Sequence, residues 1–138
     1  MRRAACLAAI AAFWAPPSVA QDMDGFRSPS GNIACMYWSG DDGESLRCDI
    51  GETSNRPPRR PADCDLDWGN AFEIAAASRR GVRICHGDTV RDPGLPVLDY
   101  GKSFRRGPFL CQSERLGVTC RNARGAGFSL SRARQQLF

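Results

Sequence analysis

The chain has almost no lysine: of its 19 basic residues only Lys102 is not arginine. Set beside abundant Ala, Gly and Pro, that bias reflects genomic base composition more than selection for guanidinium chemistry. It has one histidine, His86, and no Cys-x-x-Cys pair, which excludes the usual zinc modules. No Gly-x-Ser-x-Gly elbow is present, so a hydrolase nucleophile of that kind is excluded. Gly125-Ala126-Gly127 is the nearest thing to a phosphate cradle, but it precedes a predicted strand and opens no helix. No apolar run reaches the roughly 20 residues that a membrane helix needs. No transmembrane segment, cofactor or metal is therefore expected.

The first twenty residues and the cysteines after them carry most of the information. Arg2 and Arg3 precede an apolar run, and Ser18-Val19-Ala20 has the small-x-small form of a cleavage site. This pattern predicts a secretory leader over residues 1–20 and a mature chain from about Gln21. The context of a twin-arginine signal is missing, so ordinary Sec export is expected. Cys6 lies ahead of most of the apolar run, not at its end, and is read as leaving with the leader. Residues 21–138 then make a single domain. Its location is expected to be periplasmic or secreted.

Removal of Arg2 and Arg3 lowers the formal charge from +4 to +2, too little to indicate nucleic acid. The distribution is uneven. Residues 21–73 hold five basic and eleven acidic side chains, whereas residues 100–138 hold eight basic ones and only Glu114. If the fold keeps these ends apart, the C-terminal third would attract anions, such as an anionic glycan or an acidic protein; if it pairs them, they neutralise one another.

Period-two alternation places strands at Asn32 to Trp38 and Leu46 to Ile50, joined by Ser39-Gly40-Asp41-Asp42-Gly43 as a hairpin. Pro57, Pro58 and Pro61 make an extended connector. Ala71 to Ala75 and Val82 to Cys85 read as a second hairpin, with two helical turns over Ala71 to Ala77 as the alternative. His86 to Gly101 reads as a long ordered loop, and short strands follow at Ser103 to Arg105, Phe109 to Ser113, Val118 to Asn122 and Phe128 to Leu130. Ser131 to Leu137 is expected to cap the chain as a short helix with Ser131 at its N-terminus. Seven or eight such strands predict a mainly β fold, a small antiparallel barrel or sandwich. Ser28 to Cys35 and Ser113 to Cys120 each place a Cys seven residues after a Ser, a match too short to define a repeat.

Six cysteines allow 15 pairings. Hairpin geometry favours Cys35 with Cys48 and Cys111 with Cys120, leaving Cys64 with Cys85. Together such loops would contribute up to roughly 9 kcal/mol, comparable to the whole net stability of a small domain.

Few residues suggest chemistry. His86-Gly87-Asp88 sets an imidazole near a carboxylate, as a general base requires, but without a nucleophile. Asp63-x-Asp65-x-Asp67 looks like a calcium loop, yet Trp68 and Ile74 occupy the positions where Gly and a bidentate Glu belong. It reads better as a turn. The polar loop Ser28, Ser30 and Asn32 is the candidate binding segment.

Phe26-x-Ser28-Pro29-Ser30-Gly31-Asn32-Ile33-x-Cys35, Arg47-Cys48-Asp49-Ile50, Cys64-x-x-Asp67-Trp68-Gly69, Cys85-x-Gly87-Asp88-Thr89, Val97-Leu98-x-Tyr100-Gly101 and Gly117-Val118-Thr119-Cys120-x-Asn122 together resemble a bacterial family of secreted proteins and lipoproteins known only as a domain of unknown function. The resemblance spans nearly all of residues 21–138. It implies an envelope or secreted location and no activity. Where that family tends to show Gly-His-Gly-Phe, this chain has Gly125-Ala126-Gly127-Phe128, so no role for that His is carried over.

The expectation from sequence is an exported, non-enzymatic domain that binds an envelope or extracellular protein or an anionic glycan. The alternatives are an inhibitor of a cell-wall hydrolase such as lysozyme, inserting the loop Ser28 to Asn32, and a hydrolase using His86 and Asp88.

Overall fold

The computed structural model describes residues 24–138; the expected leader and the start near Gln21 lie outside them. Ten strands form two five-stranded antiparallel sheets, each in chain order. The first contains β1 (Gly25–Arg27), β2 (Ile33–Gly40), β3 (Gly43–Ile50), β4 (Ala71–Ala75) and β5 (Val82–Arg83). The second contains β6 (Ser103–Arg106), β7 (Phe109–Glu114), β8 (Gly117–Arg121), β9 (Gly127–Leu130) and β10 (Gln135–Leu137).

The two sheets are built on one pattern. In the first, Phe26, Cys35, Cys48 and Phe72 lie side by side across β1 to β4. In the second, Phe104, Cys111, Cys120 and Phe128 lie side by side across β6 to β9. All eight side chains are buried, because alternation along each strand turns every second residue inward. The halves meet through counterparts. Phe26 packs on Phe104 with ring centroids 5.0 Å apart, Phe72 on Phe128 at 6.0 Å, and the Cys48 and Cys120 sulfurs are 3.7 Å apart. Each residue touching its own equivalent is the contact pattern of an approximate two-fold axis.

Disulfides join Cys35 to Cys48, Cys64 to Cys85 and Cys111 to Cys120. The first and third each tie neighbouring strands, in the pairing that hairpin geometry favours. They occupy equivalent places in the two halves.

Three expectations are corrected. The sheets do not close into a barrel; they stack as a sandwich with open edges. One reason is that the segment after β5 runs along the free edge of β1, where Val97 bridges Arg27, the Arg27 amide donates to the Pro96 carbonyl, and the Leu98 amide donates to the Arg27 carbonyl. That edge is thereby used before β10 or β6 could reach it. The C-terminal helix is absent as well. Ser131 to Arg134 form a turn, with the Arg134 amide donating to the Ser131 hydroxyl, and β10 then pairs with β9. A helix this short gains little alone, whereas a strand satisfies the backbone groups that β9 would otherwise leave open. Ala71 to Ala75 is a strand, as the hairpin reading of that segment has it, and the helical alternative falls. The strands β1 and β10 raise the number from the seven or eight foreseen to ten among the described residues.

Asn122 locks the halves together from the side. Its side-chain amide donates to the carbonyls of Ala75 (3.0 Å) and Ser78 (2.7 Å), and its oxygen accepts from the amides of Arg124 (2.9 Å) and Ala126 (3.1 Å). Ser113 is the opposite case, a buried hydroxyl without a hydrogen-bond partner. Asn122→Ala is accordingly expected to cost about 2–4 kcal/mol in urea unfolding, since it strands buried amides and carbonyls. Ser113→Ala should be neutral or stabilising by up to about 1 kcal/mol. Equal losses in both variants would refute this assignment.

Candidate functional site

The candidate binding segment forms a tight turn between β1 and β2. Gly31, at φ +72°, supplies the left-handed backbone that a side chain would strain, and its amide donates to the Ser28 carbonyl. The Ser28 hydroxyl accepts from the Ile33 amide at 3.1 Å and lies 3.3 Å from the Ser30 hydroxyl, which accepts from the Asn32 amide. Asn32 pairs with the backbone of Glu52 through both amide atoms: Nδ2 donates to the carbonyl at 3.1 Å and Oδ1 accepts from the amide at 2.7 Å. Ser28 and Asn32 are buried. They hold the turn in shape, and of the three only Ser30 faces solvent.

This turn forms one wall of a groove of about 390 Å³ whose other side comes from the second sheet. Tyr100 and the β7–β8 turn, Arg115 and Leu116, stand opposite, and Arg132 lies at the end. The Arg115 guanidinium sits 5.4 Å from the Tyr100 ring centroid, a stacking arrangement that holds both in place. Leu116 is 84 % exposed. Arg132 pairs at the surface with Glu52, 3.0 Å away. The groove thus offers the Ser30 hydroxyl on one wall and an aromatic ring, the Arg115 guanidinium and the Glu114 carboxylate on the other, chemistry suited to a polar ligand. Sequence reasoning singled out Ser28, Ser30 and Asn32 but did not set Tyr100 and Arg115 beside them, since these are brought there only by the fold.

The second cluster gathers on the outer side of β3. Asp49 is fully buried and accepts from Arg47 Nε (2.8 Å) and Nη2 (2.9 Å), the Thr89 hydroxyl (3.0 Å) and the Val90 amide (3.0 Å). Arg47 also donates through Nη1 to the Asp88 carboxylate and through Nη2 to the Asp88 carbonyl, both at 3.0 Å. Burial pulls the Arg47 pKa down, but its bonds to Asp49 and Asp88 outweigh this and hold it above the ordinary value, so the guanidinium stays charged. The hydrogen bond from Arg47, aided by its charge, holds the Asp88 carboxyl below its ordinary 3.8.

His86 is buried beside this cluster with both ring nitrogens occupied. Nδ1 lies 2.6 Å from the Asp88 carbonyl and Nε2 lies 2.8 Å from Asn70 Oδ1. The carboxylate of Asp88 turns to Arg47, so the imidazole and the carboxylate do not meet as a catalytic pair would. Asp63, Asp65 and Asp67 are exposed, and Asp67 bridges His86 through its backbone. Among the described residues, the one group of three potential metal ligands is Cys35, Cys48 and Cys120, all in disulfides.

The described residues contain no helix long and apolar enough to cross a membrane. The three disulfides are consistent with an extracellular or periplasmic protein. The model of a family of unknown function, DUF6636, matches residues 5–138. No curated protein and no solved structure matches the chain.

Two tests follow from the buried cluster. Asp49→Asn removes the anion that buried Arg47 requires, and should cost about 3–5 kcal/mol in denaturant unfolding; a loss below 1 kcal/mol would refute the brace. For Asp88, a depressed folded pKa means that its contribution is complete above 3.8 and disappears as pH falls through the lower folded value. Wild type should therefore lose more stability than Asp88→Asn on acidification below 3.8, and parallel pH curves would overturn the assignment. The effect should be modest, because the Asp88 side chain is 84 % exposed.

Proposed function

We propose that this chain, which belongs to DUF6636, a family of unknown function, is an exported, non-enzymatic binding domain of the cell envelope. The observation that carries the reading is where its reactive groups are spent. His86 has oxygen neighbours at both ring nitrogens, the six cysteines from Cys35 onward are paired, and Asp49 is enclosed by four donor groups. General acid–base or nucleophilic catalysis needs such a group open to substrate. The exposed groups around the groove, Ser30, Tyr100, Glu114, Arg115 and Leu116 among them, are of the kind that bind. The leader pattern in residues 1–20 and the disulfides support export.

A second reading, inhibition of a cell-wall hydrolase such as lysozyme, has support from one observation. The turn from Ser28 to Asn32 is fixed by its own hydrogen bonds, and a rigid loop loses little entropy on entering a cleft. Absence of lysozyme inhibition at micromolar protein would remove it.

Expressed with its leader in a Gram-negative host, the protein should be recovered from the periplasm beginning near Gln21 and lighter by six hydrogens than its reduced form. Cytoplasmic retention with free thiols would overturn export. A screen of envelope glycan fragments and envelope proteins by thermal shift should find a ligand that stabilises wild type more than a Tyr100→Ala/Arg115→Ser variant. That ligand should be recovered unchanged, and its cleavage would overturn the non-enzymatic assignment.

A further inference from the structure

The two halves share one plan, but their outer faces differ. On the first sheet the outward row is Gly25, Met36, Arg47, Glu73 and Val82. Much of it is roofed by the segment that follows β5: Asp88, Thr89 and Val90 close over Arg47 and Asp49, and the Leu95 carbonyl accepts from Arg27 Nε. The equivalent row on the second sheet is Ser103, Gln112, Thr119, Ser129 and Gln136, in register across all five strands. Ser103, Gln112 and Gln136 are exposed, and Thr119 and Ser129 are half-buried. The Thr119 and Ser129 hydroxyls are 2.9 Å apart. In the next outward row, Arg105, Leu110 and Arg121 lie on adjacent strands. Both arginines are exposed, and neither has a carboxylate within ion-pair distance among the described residues.

We propose that this outer face binds an acidic polysaccharide, with sugar hydroxyls on the Ser103 to Gln136 row and carboxylates on Arg105 and Arg121. The inference rests on the envelope-binding reading and names a ligand class and a second surface for it. Strands are ~4.8 Å apart, so the row presents neutral donors and acceptors at that interval, and Arg105 and Arg121 spring from backbone positions two strands, or ~10 Å, apart along the same direction. A hydroxyl-rich polyanion lying across the strands meets both rows at once, and guanidinium is well shaped for carboxylate. A protein partner would want aromatic or large apolar anchors; the only apolar side chain in these two rows is Leu110, half-buried. A single-stranded nucleic acid would want aromatic platforms, and these rows have none.

The test is electrophoresis of the oxidised protein through gels containing polygalacturonate or, as the neutral control, dextran. Wild type should be retarded by polygalacturonate only. Arg105→Ser/Arg121→Ser should weaken this by about tenfold or more. Ser103→Ala/Gln112→Ala keeps every charge and should weaken it by about fivefold. Tyr100→Ala tests whether the glycan is held in the groove instead. No retardation of wild type overturns the proposal, and so does an unaltered Ser103→Ala/Gln112→Ala variant, which would reduce the effect to diffuse charge attraction. Loss confined to Tyr100→Ala would move the glycan to the groove and leave the binding-domain reading standing. Displacement by a single-stranded oligonucleotide at lower concentration, or a dimer on size exclusion that Ser103→Ala/Gln112→Ala dissolves, would give the face to nucleic acid or to a second copy. All five substituted side chains are exposed, and an oxidised mass with unchanged circular dichroism verifies folding.

Discussion

The contact between the Cys48 and Cys120 sulfurs, 3.7 Å apart at the centre of the sandwich, is where covalent and packing constraints coincide. Each belongs to a disulfide that joins two neighbouring strands at directly opposed positions, Cys35 to Cys48 and Cys111 to Cys120. A bond at such a position fixes register absolutely, and register decides which face of each strand is core. A one-residue slip of β2 against β3 would send Ile33, Cys35 and Tyr37 outward and bring Asn32, Ala34 and Met36 in. With both bonds at the sheet interface, the rows Phe26 to Phe72 and Phe104 to Phe128 have one way to face each other. Short strands with few large aliphatic side chains would otherwise specify their pairing weakly.

The same constraint explains why the two halves can diverge elsewhere. Once the inner rows are fixed, the outer rows are free to take different chemistry. In the first half Arg47 and Asp49 flank Cys48 on β3 and turn away from the core, yet both are buried because Asp88, Thr89 and Val90 close over them. A buried ion pair of this type is no strong source of net stability. Its effect here is positional: it holds the long segment between β5 and β6 against the sheet, and that segment in turn brings Tyr100 to the groove and Val97 to the edge of β1. The second half has no counterpart of this roof among the described residues.

Much of the fold was legible in the residues. Alternation of Leu46, Cys48 and Ile50 with Arg47 and Asp49 defined β3, and the turn chemistry of Gly40 to Gly43 defined its hairpin with β2. Strands β1 and β10 were not, because three residues such as Gly25 to Arg27 are too few to display a period. Ser131 carried an N-cap signal that proved real as a hydrogen bond to Arg134 but served a turn; a capping residue fixes one end of a segment and says nothing of its continuation. The internal duplication was hidden for a different reason. The echo of Ser28 to Cys35 in Ser113 to Cys120 aligns β2 with β8, whereas the structure makes β2 the counterpart of β7 and sets Cys35 against Cys111 as its equivalent. The true correspondence rests on Phe26 with Phe104 and Phe72 with Phe128, single residues separated by loops of unequal length. At the groove, Ser28, Ser30 and Asn32 stand out in the sequence because they fall within five residues, while Tyr100 and Arg115 come from distant positions.

The burial of Asp49, Arg47 and His86 bears on what kind of function such a scaffold can carry. Their hydrogen bonds run to one another, to Asn70 and to Asp88, Thr89 and Val90 of the segment after β5. Freeing any of them for chemistry would loosen the element that completes the groove. Binding makes no such demand. It gains when side chains such as Arg115 over Tyr100 are already in position before the ligand arrives, since their ordering then costs nothing further. A small domain whose inner rows are cross-linked has its freedom to vary left in exposed polar positions. On this argument the difference between the two outer faces, one roofed and one open, is the part of the architecture that folding alone does not explain.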